Sequence, residues 1–269
     1  MPTVTIKGGE TIWYKKTGRG APILHIHGSA FGHRNFEKMT PPMSKDWEVI
    51  DLALPGYGDS TGTPRPGAME GFAAQLVEFL EALGIPKIHV HGTSFGAMIG
   101  LTLAARYPHV IDKLVLSCFM CRYDQAAREM RGTWKRAARD SGMAAVADLT
   151  SVAGFARSFY ERPEAQAQLQ SMRDAFSKNT PEALIAGIEA ASRTDLTPLV
   201  PLVKAPTLLI GGDEDNMTPY KPADSGVGFA QIKEMRPDWR MEVLPQCGHY
   251  LVIDQPEKAT EMITAFLRS

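Results

Sequence analysis

Gly92-Thr93-Ser94-Phe95-Gly96 decides the fold. This G-x-S-x-G pentapeptide is wedged between a strand-like run at 87–90 (KIHV) and a helix-like run at 97–107 (AMIGLTLAARY) that Pro108 ends. Gly84-Ile85-Pro86 breaks the helix before it. In that setting the pattern places a serine hydroxyl at the tip of a tight strand-to-helix turn. The hydroxyl stands exposed above a sheet, with the amides of the following helix N-terminus aimed at it. The two glycines have a steric task, since a side chain at either flank of such a turn would collide with neighbouring backbone.

Outward from the pentapeptide, strands alternate with helices, which predicts a mostly parallel sheet flanked by helices. Residues 4–7 and 11–16 read as an opening hairpin joined by Gly8-Gly9. Residues 22–27 (PILHIH) and 47–53 (WEVIDLA) are the next strands, and 68–83 a helix with apolar positions at Phe72, Leu76, Phe79 and Leu80. Further strands are expected at 113–117, 207–210 and 241–244, and an amphipathic helix at 256–267 closes the chain. Residues 122–195 break the alternation. They show only helical pattern, with breaks near Gly142, Gly154, Pro163 and Pro181. An excursion between two strands is expected over the carboxyl ends of the sheet, where open α/β sheets bind ligands. We therefore read 1–121 and 196–269 as the core and 122–195 as a helical cap.

The 269 residues suit one large α/β domain or two small ones, and 44% hydrophobic with 22% charged residues is ordinary globular composition. A formal net charge of -1 gives no field favouring nucleic acid or an anionic membrane. Met1-Pro2-Thr3-Val4-Thr5 opens without a basic and then apolar signal segment, and no apolar run is long enough to span a bilayer. A cytoplasmic protein is expected, a monomer or homodimer acting on a small-molecule substrate. Cys118, Cys121 and Cys247 are too few for a disulfide framework. Cys118-Phe119-Met120-Cys121 has C-x-x-C spacing, but without a second such pair or downstream histidines at ligand spacing it reads as packed free thiols. No metal and no cofactor are expected.

A serine hydroxyl is a poor nucleophile at neutral pH unless a base reaches it and a third group orients that base. Both are available downstream. Asp215 lies in Gly211-Gly212-Asp213-Glu214-Asp215, just past the strand at 207–210; His249 lies in Gln246-Cys247-Gly248-His249, just past the strand at 241–244. The chain order is Ser, Asp, His, each in a loop at a strand's carboxyl end. Asp213 competes with Asp215 for the acid's place.

With these residues the chain resembles the α/β-hydrolase fold family over nearly its whole length. His27-Gly28 resembles the family's oxyanion loop, residues 51–60 (DLALPGYGDS) its D-x-x-G-x-G-x-S turn, and Gly212-x-x-Asp215 and Gly248-His249 its acid and base loops. The resemblance implies a nucleophile Ser94, a base His249 and an orienting acid Asp215. It also implies an oxyanion hole from the N–H of Phe95 and that of Ser29, or of Ala30 depending on the loop. His27 would brace that loop. His25, His89 and His91 read as packing residues on buried strands. Phe31 is expected to line the pocket, and His33 or Arg34 to touch substrate from the same loop.

Arg128, Arg131, Lys135 and Arg139 share one helical face, either solvated or recruiting an anionic substrate. Trp134, with Met130, Phe155, Phe159 and Tyr160, forms either the pocket side of the cap or its own small core. Serine rather than aspartate at 94 argues against relatives that form alkyl-enzyme esters, the dehalogenases and epoxide hydrolases. The reading is a serine hydrolase cleaving a small carboxylic ester or lactone. Alternatives within the resemblance are a C–C bond hydrolase acting on a ring-fission product or β-diketone, and a ligand receptor that does not turn over.

Overall fold

A computed structural model describes residues 2–63 and 65–269. Met1, the first residue of the expected core, and Pro64 lie outside the described residues. The strand-like runs pair into one sheet: β1 (Thr3–Thr5), β2 (Thr11–Thr17), β3 (Ala21–Ile26), β4 (Trp47–Leu52), β5 (Ile88–Thr93), β6 (Ile111–Ser117), β7 (Thr207–Gly212) and β8 (Arg240–Leu244). Their order across the sheet is β1-β2-β4-β3-β5-β6-β7-β8. β1 and β2 form the expected antiparallel hairpin, with Val4 opposite Ile12, and β2 runs antiparallel to β4. Every other pairing is parallel. The central strands β3, β5, β6 and β7 are buried almost throughout because helices cover both faces.

The helices are α1 (Thr40–Met43), α2 (Met69–Ala82), α3 (Phe95–Arg106), α4 (Gln125–Ser141), α5 (Met143–Gly154), α6 (Ala165–Phe176), α7 (Pro181–Ser192), α8 (Phe229–Met235), α9 (Leu251–Asp254) and α10 (Pro256–Arg268). One apolar core lies where α2 and α3 pack on the sheet, and a second on the opposite face under α10. No helix among the described residues is long and apolar enough to cross a membrane.

Two features of this topology prepare a site. After β3 the chain adds β4 on one side and then crosses over to add β5 on the other. The carboxyl ends of β3 and β5 thus open a crevice where the winding reverses, the usual ligand position in such sheets. The register also levels the strand ends, since Ile26 pairs with Gly92, Thr93 with Ser117, Ser117 with Ile210 and Gly212 with Leu244. Loops leaving β3, β5, β7 and β8 therefore start side by side.

Between β6 and β7 the chain makes only helices, α4 to α7, and places them over that end of the sheet. Local chemistry sets their limits. Asp124 caps α4 by accepting from the Ala127 N–H at 2.8 Å, and Gly142 turns the chain at φ 83 into α5. Thr180 caps α7. Pro181, read from sequence as a break, is the first residue of that helix, where its missing N–H costs nothing. These helices share a third apolar cluster that reaches down to Phe31, Met217 and Tyr250.

Candidate active site

Ser94 sits between the last residue of β5 and the first of α3, with φ 54 and ψ -116. A non-glycine residue held there costs about 1–3 kcal/mol. Its N–H donates to the Ser117 carbonyl at 2.8 Å, and its carbonyl accepts from the Ala97 N–H at 3.0 Å, which keeps the turn in place. Cys118 (φ 50) and Gln246 (φ 52) are likewise strained, so three of the four positive-φ non-glycine residues among those described lie past strands at this edge.

The flanking glycines are required by close approach. A Cβ on Gly96 would lie 2.0 Å from the Ile26 carbonyl oxygen, and one on Gly92 would lie 2.3 Å from that of Gly96. Neither neighbour is a flexible side chain. Gly96→Ala is therefore expected to destabilise the protein by more than about 4 kcal/mol, among the largest single-residue effects. The check is the urea midpoint, and a shift within that of a surface substitution would contradict the packing described.

Past β7, the Asp215 side chain turns back toward Ser94 and is almost fully buried. Its Oδ2 lies 2.9 Å from His249 Nδ1 and its Oδ1 3.1 Å, while His249 Nε2 lies 3.0 Å from Ser94 Oγ. Asp213, two residues earlier, is exposed. The ring contact thus falls to Asp215. Backbone N–H groups of Met217 and Thr218 each donate to Asp215 Oδ1 at 2.9 Å, and the Thr218 hydroxyl donates to Oδ2 at 2.7 Å. Burial by itself would raise the Asp215 carboxyl. The facing His249 and the Thr218 bonds outweigh it and hold the carboxyl below its ordinary value. An ionised Asp215 fixes the proton on Nδ1, leaving the Nε2 lone pair toward Ser94.

Cys118 lies beneath this pair, and Cys118, Asp215 and His249 bring one donor atom each within 4.8 Å of one another. Both carboxylate oxygens and Nδ1 are already engaged. Burial, then the Asp215 charge, drives the Cys118 thiol well above its usual range, so it stays protonated. All three cysteines are buried free thiols.

Opposite Ser94 runs the loop that leaves β3. His27 is buried, with Nδ1 2.7 Å from the Gly28 carbonyl, and its Nε2 accepts from the Leu54 N–H at 3.0 Å. That pair of bonds fixes a neutral ring with its proton on Nδ1. The Gly28 N–H donates to Asn35 Oδ1 at 3.0 Å, and Asn179 Nδ2 donates to the Ala30 carbonyl at 2.7 Å. The loop is thus tied at both sides. No protein acceptor among the described residues takes the N–H of Ser29, Ala30 or Phe95, and all three residues line the cleft above Ser94. Phe95 opens α3, so its N–H is one of the free donors of a helix start.

Burial pulls the His27 ring down to about 4, and it moves His91 the same way and farther. A histidine with a lowered folded value stays neutral while the unfolded chain takes up a proton below pH 6.5. Stability is therefore expected to fall as pH drops from 6.5 toward 4, by about 2 kcal/mol at pH 5 from His27 alone. Urea midpoints at pH 7 and pH 5 measure this, and a midpoint that holds or rises at pH 5 contradicts it.

Phe31 and Trp134 line the cleft with Leu184 and Ile188 of α7. His33, Arg34 and Phe159 do not. Gly32 (φ 62) starts a 3-10 turn over Gly32–Phe36 that sends Phe31 and Asn35 inward and His33 outward. The His33 ring lies tilted against Trp13, centroids 4.0 Å apart, in a separate hollow beside Thr40 and Asp51. Arg34 lies in another hollow with Glu37 and Lys38. Phe159 is fully buried and stacks on Phe155 at 3.8 Å, inside the core of the α4–α7 segment and off the cleft wall. The basic face of α4 divides as well: Arg128 and Arg139 are exposed, Lys135 faces Glu189 at 3.5 Å, and Arg131 turns into the cleft. His25 and His91 remain under the sheet edge, on Asp51 (2.8 Å) and Ser117 (2.6 Å).

Asp254 had no sequence signal. Buried behind the His249 loop, it accepts from the Gly248 N–H at 3.0 Å and pairs with Arg162 at 2.7 Å, joining that loop to the α5–α6 connection. The cleft is narrow, with a cavity volume of about 40 Å³.

A strained serine on a strand-to-helix turn, with aspartate and histidine from the ends of two later strands, β7 and β8, is the arrangement of one fold family. The chain matches the model of the α/β hydrolase fold family over residues 21–256, and it belongs to that family. It is 28% identical over 270 residues to a pimeloyl-(acyl-carrier protein) methyl ester esterase of Aromatoleum aromaticum, covering 91% of this chain and 98% of that one. It is 22% identical over 281 residues to a 2-hydroxy-6-oxo-2,4-heptadienoate hydrolase of Pseudomonas putida, covering 98% and 95%. Among solved structures, a thermophilic esterase from Thermogutta terrifontis superposes with a TM-score of 0.84 at 25% identity, covering 99% and 97%.

Proposed function

We propose that the protein is a serine hydrolase that cleaves a small carboxylic ester or lactone through an acyl-Ser94 intermediate. The observation that carries this is the line from Ser94 Oγ through His249 Nε2 and Nδ1 to Asp215, at 3.0 Å and 2.9 Å, beneath free backbone N–H groups. Ser94 Oγ attacks the acyl carbon and its proton passes to His249 Nε2. The carbonyl oxygen becomes an oxyanion held by the N–H of Phe95 and that of Ser29. His249 returns the proton to the leaving alkoxide, and an alcohol departs. Water then gives its proton to Nε2 and attacks the acyl carbon; Ser94 regains the proton and a carboxylic acid leaves. Asp215 holds the imidazole and stabilises its cationic form throughout.

The α4–α7 segment acts here as a cap that bounds the substrate, and its narrow cleft supports a compact one. The chain is read as cytoplasmic, a monomer or homodimer, and without a metal or cofactor of its own. The test is a panel of chromogenic esters graded in acyl length. Turnover should favour short acyl groups and vanish in His249→Ala.

A second reading is C–C bond hydrolysis, favoured by the Pseudomonas putida relative, a 2-hydroxy-6-oxo-2,4-heptadienoate hydrolase by name. It requires the same serine and histidine. Turnover of a vinylogous 1,5-diketone by a protein inert toward every ester would establish it instead.

A further inference from the structure

Arg131 is 3% exposed, yet no carboxylate among the described residues lies within 4.0 Å of its guanidinium. Other shielded arginines are paired: Arg65 with Glu10 and Glu78, Arg162 with Asp254, Arg236 with Asp238. Arg131 has only two neutral acceptors. Its Nη1 donates to the Ala127 carbonyl at 3.1 Å and, at the long limit, to the Met217 carbonyl at 3.4 Å. Nε and Nη2 have no protein acceptor among the described residues. An arginine cannot shed its proton, so burial leaves a full positive charge that calls for an anion.

The group is also held flat and aimed. The guanidinium carbon lies 3.9 Å over the Tyr123 ring and 5.2 Å from the Trp134 ring, which fix the plane of the fork. Tyr123, Arg131 and Trp134 line the same cleft as Ser94, His249 and Ser29. The carboxylate of the site, Asp215, is already committed to Met217, Thr218 and His249. An unpaired planar cation is therefore presented to the space where the substrate lies.

We propose that Arg131 is the binding site for a free carboxylate on the substrate. The substrate then carries both the scissile acyl group and an ionised carboxylate, as in the half-ester of a short dicarboxylic acid or a carboxylated lactone. Such a carboxylate meets the unused N–H groups of the fork in a charge-assisted pair. The assignment rests on the serine-hydrolase reading only for which bond is cleaved; the carboxylate subsite stands on the arginine itself.

The experiment has two arms. In the first, monomethyl glutarate and its uncharged dimethyl ester are compared for wild type, Arg131→Met and Arg131→Lys. Wild type should prefer the half-ester, and Arg131→Met should lose roughly 100-fold in kcat/KM toward it, mostly through KM, while the diester rate holds. Arg131→Lys should fall between the two. In the second arm, glutarate binding is measured calorimetrically on Ser94→Ala, where no turnover intervenes, with and without Arg131→Met. Glutarate binding that depends on Arg131 supports the subsite even if no ester is hydrolysed, and in that event the cleavage reading fails alone. Equal losses toward half-ester and diester, or glutarate binding indifferent to Arg131→Met, would overturn it.

Discussion

Replacing Ser94 by alanine is expected to lower kcat toward a short ester by about 10⁶-fold, with KM little changed. The size follows from what the hydroxyl does. Without Oγ there is no acyl-enzyme, and His249 is left to activate water toward a carbonyl placed for attack by a different atom. The change is otherwise mild. Alanine keeps the Cβ, so the turn at φ 54 and its bonds to Ser117 and Ala97 are retained. The lost contact is one partly buried hydrogen bond to His249, worth about 1 kcal/mol. Stopped-flow or discontinuous assay of the pure protein, beside its urea midpoint, separates the two effects. A variant as stable as wild type that keeps more than about 1% of the rate would exclude the nucleophile assignment.

Replacing Asp215 by asparagine is expected to cost about 10⁴-fold in kcat, and the same change at Asp213 close to nothing. Asparagine preserves shape but presents an amide to Nδ1. The ring then favours its other tautomer, with the proton on Nε2, and cannot take the Ser94 proton. The ion that stabilises the imidazolium is lost at the same time. Asp213 is exposed, and among the described residues its carboxylate accepts one long bond, 3.3 Å, from the Cys247 N–H. Equal effects at the two positions would contradict the geometry.

What could be read from sequence, and what could not, follows from the range of the forces involved. Ser94, Asp215 and His249 are legible because each lies within a few residues of a strand's end, and a parallel sheet in register brings those ends together. Strand and helix alternation located every central strand, with β5 running three residues farther than its apolar run suggested because Gly92 and Thr93 continue the ladder up to the serine. His33 and Phe159 show the limit. Whether a loop residue faces the cleft depends on one dihedral: Gly32 at φ 62 rotates the 3-10 turn and exchanges His33 for Asn35. Within α4–α7, aromatic residues at helical spacing serve the segment's own core and the cleft wall equally well. Phe159 belongs to the first alone, whereas Trp134, packed in the same apolar cluster, also lines the cleft.

Asp254, Thr218 and Asn179 were illegible for another reason. Each acts by holding a loop through hydrogen bonds, a role for which any short polar residue in many places would look alike. Arg131 was visible as one of four basic positions on a helix face. Its burial was not: Trp134 is its i,i+3 neighbour on α4, but Tyr123, over whose ring the guanidinium lies, owes that contact to the path of the chain out of β6.

The most direct test is to find the atom that becomes acylated. The protein is treated with a fluorophosphonate or a slowly deacylating nitrophenyl ester, digested, and analysed by mass spectrometry. The account predicts one adduct per chain, on Ser94, absent from Ser94→Ala and slowed in His249→Ala. An adduct on another residue, or one that persists undiminished in Ser94→Ala, would contradict it.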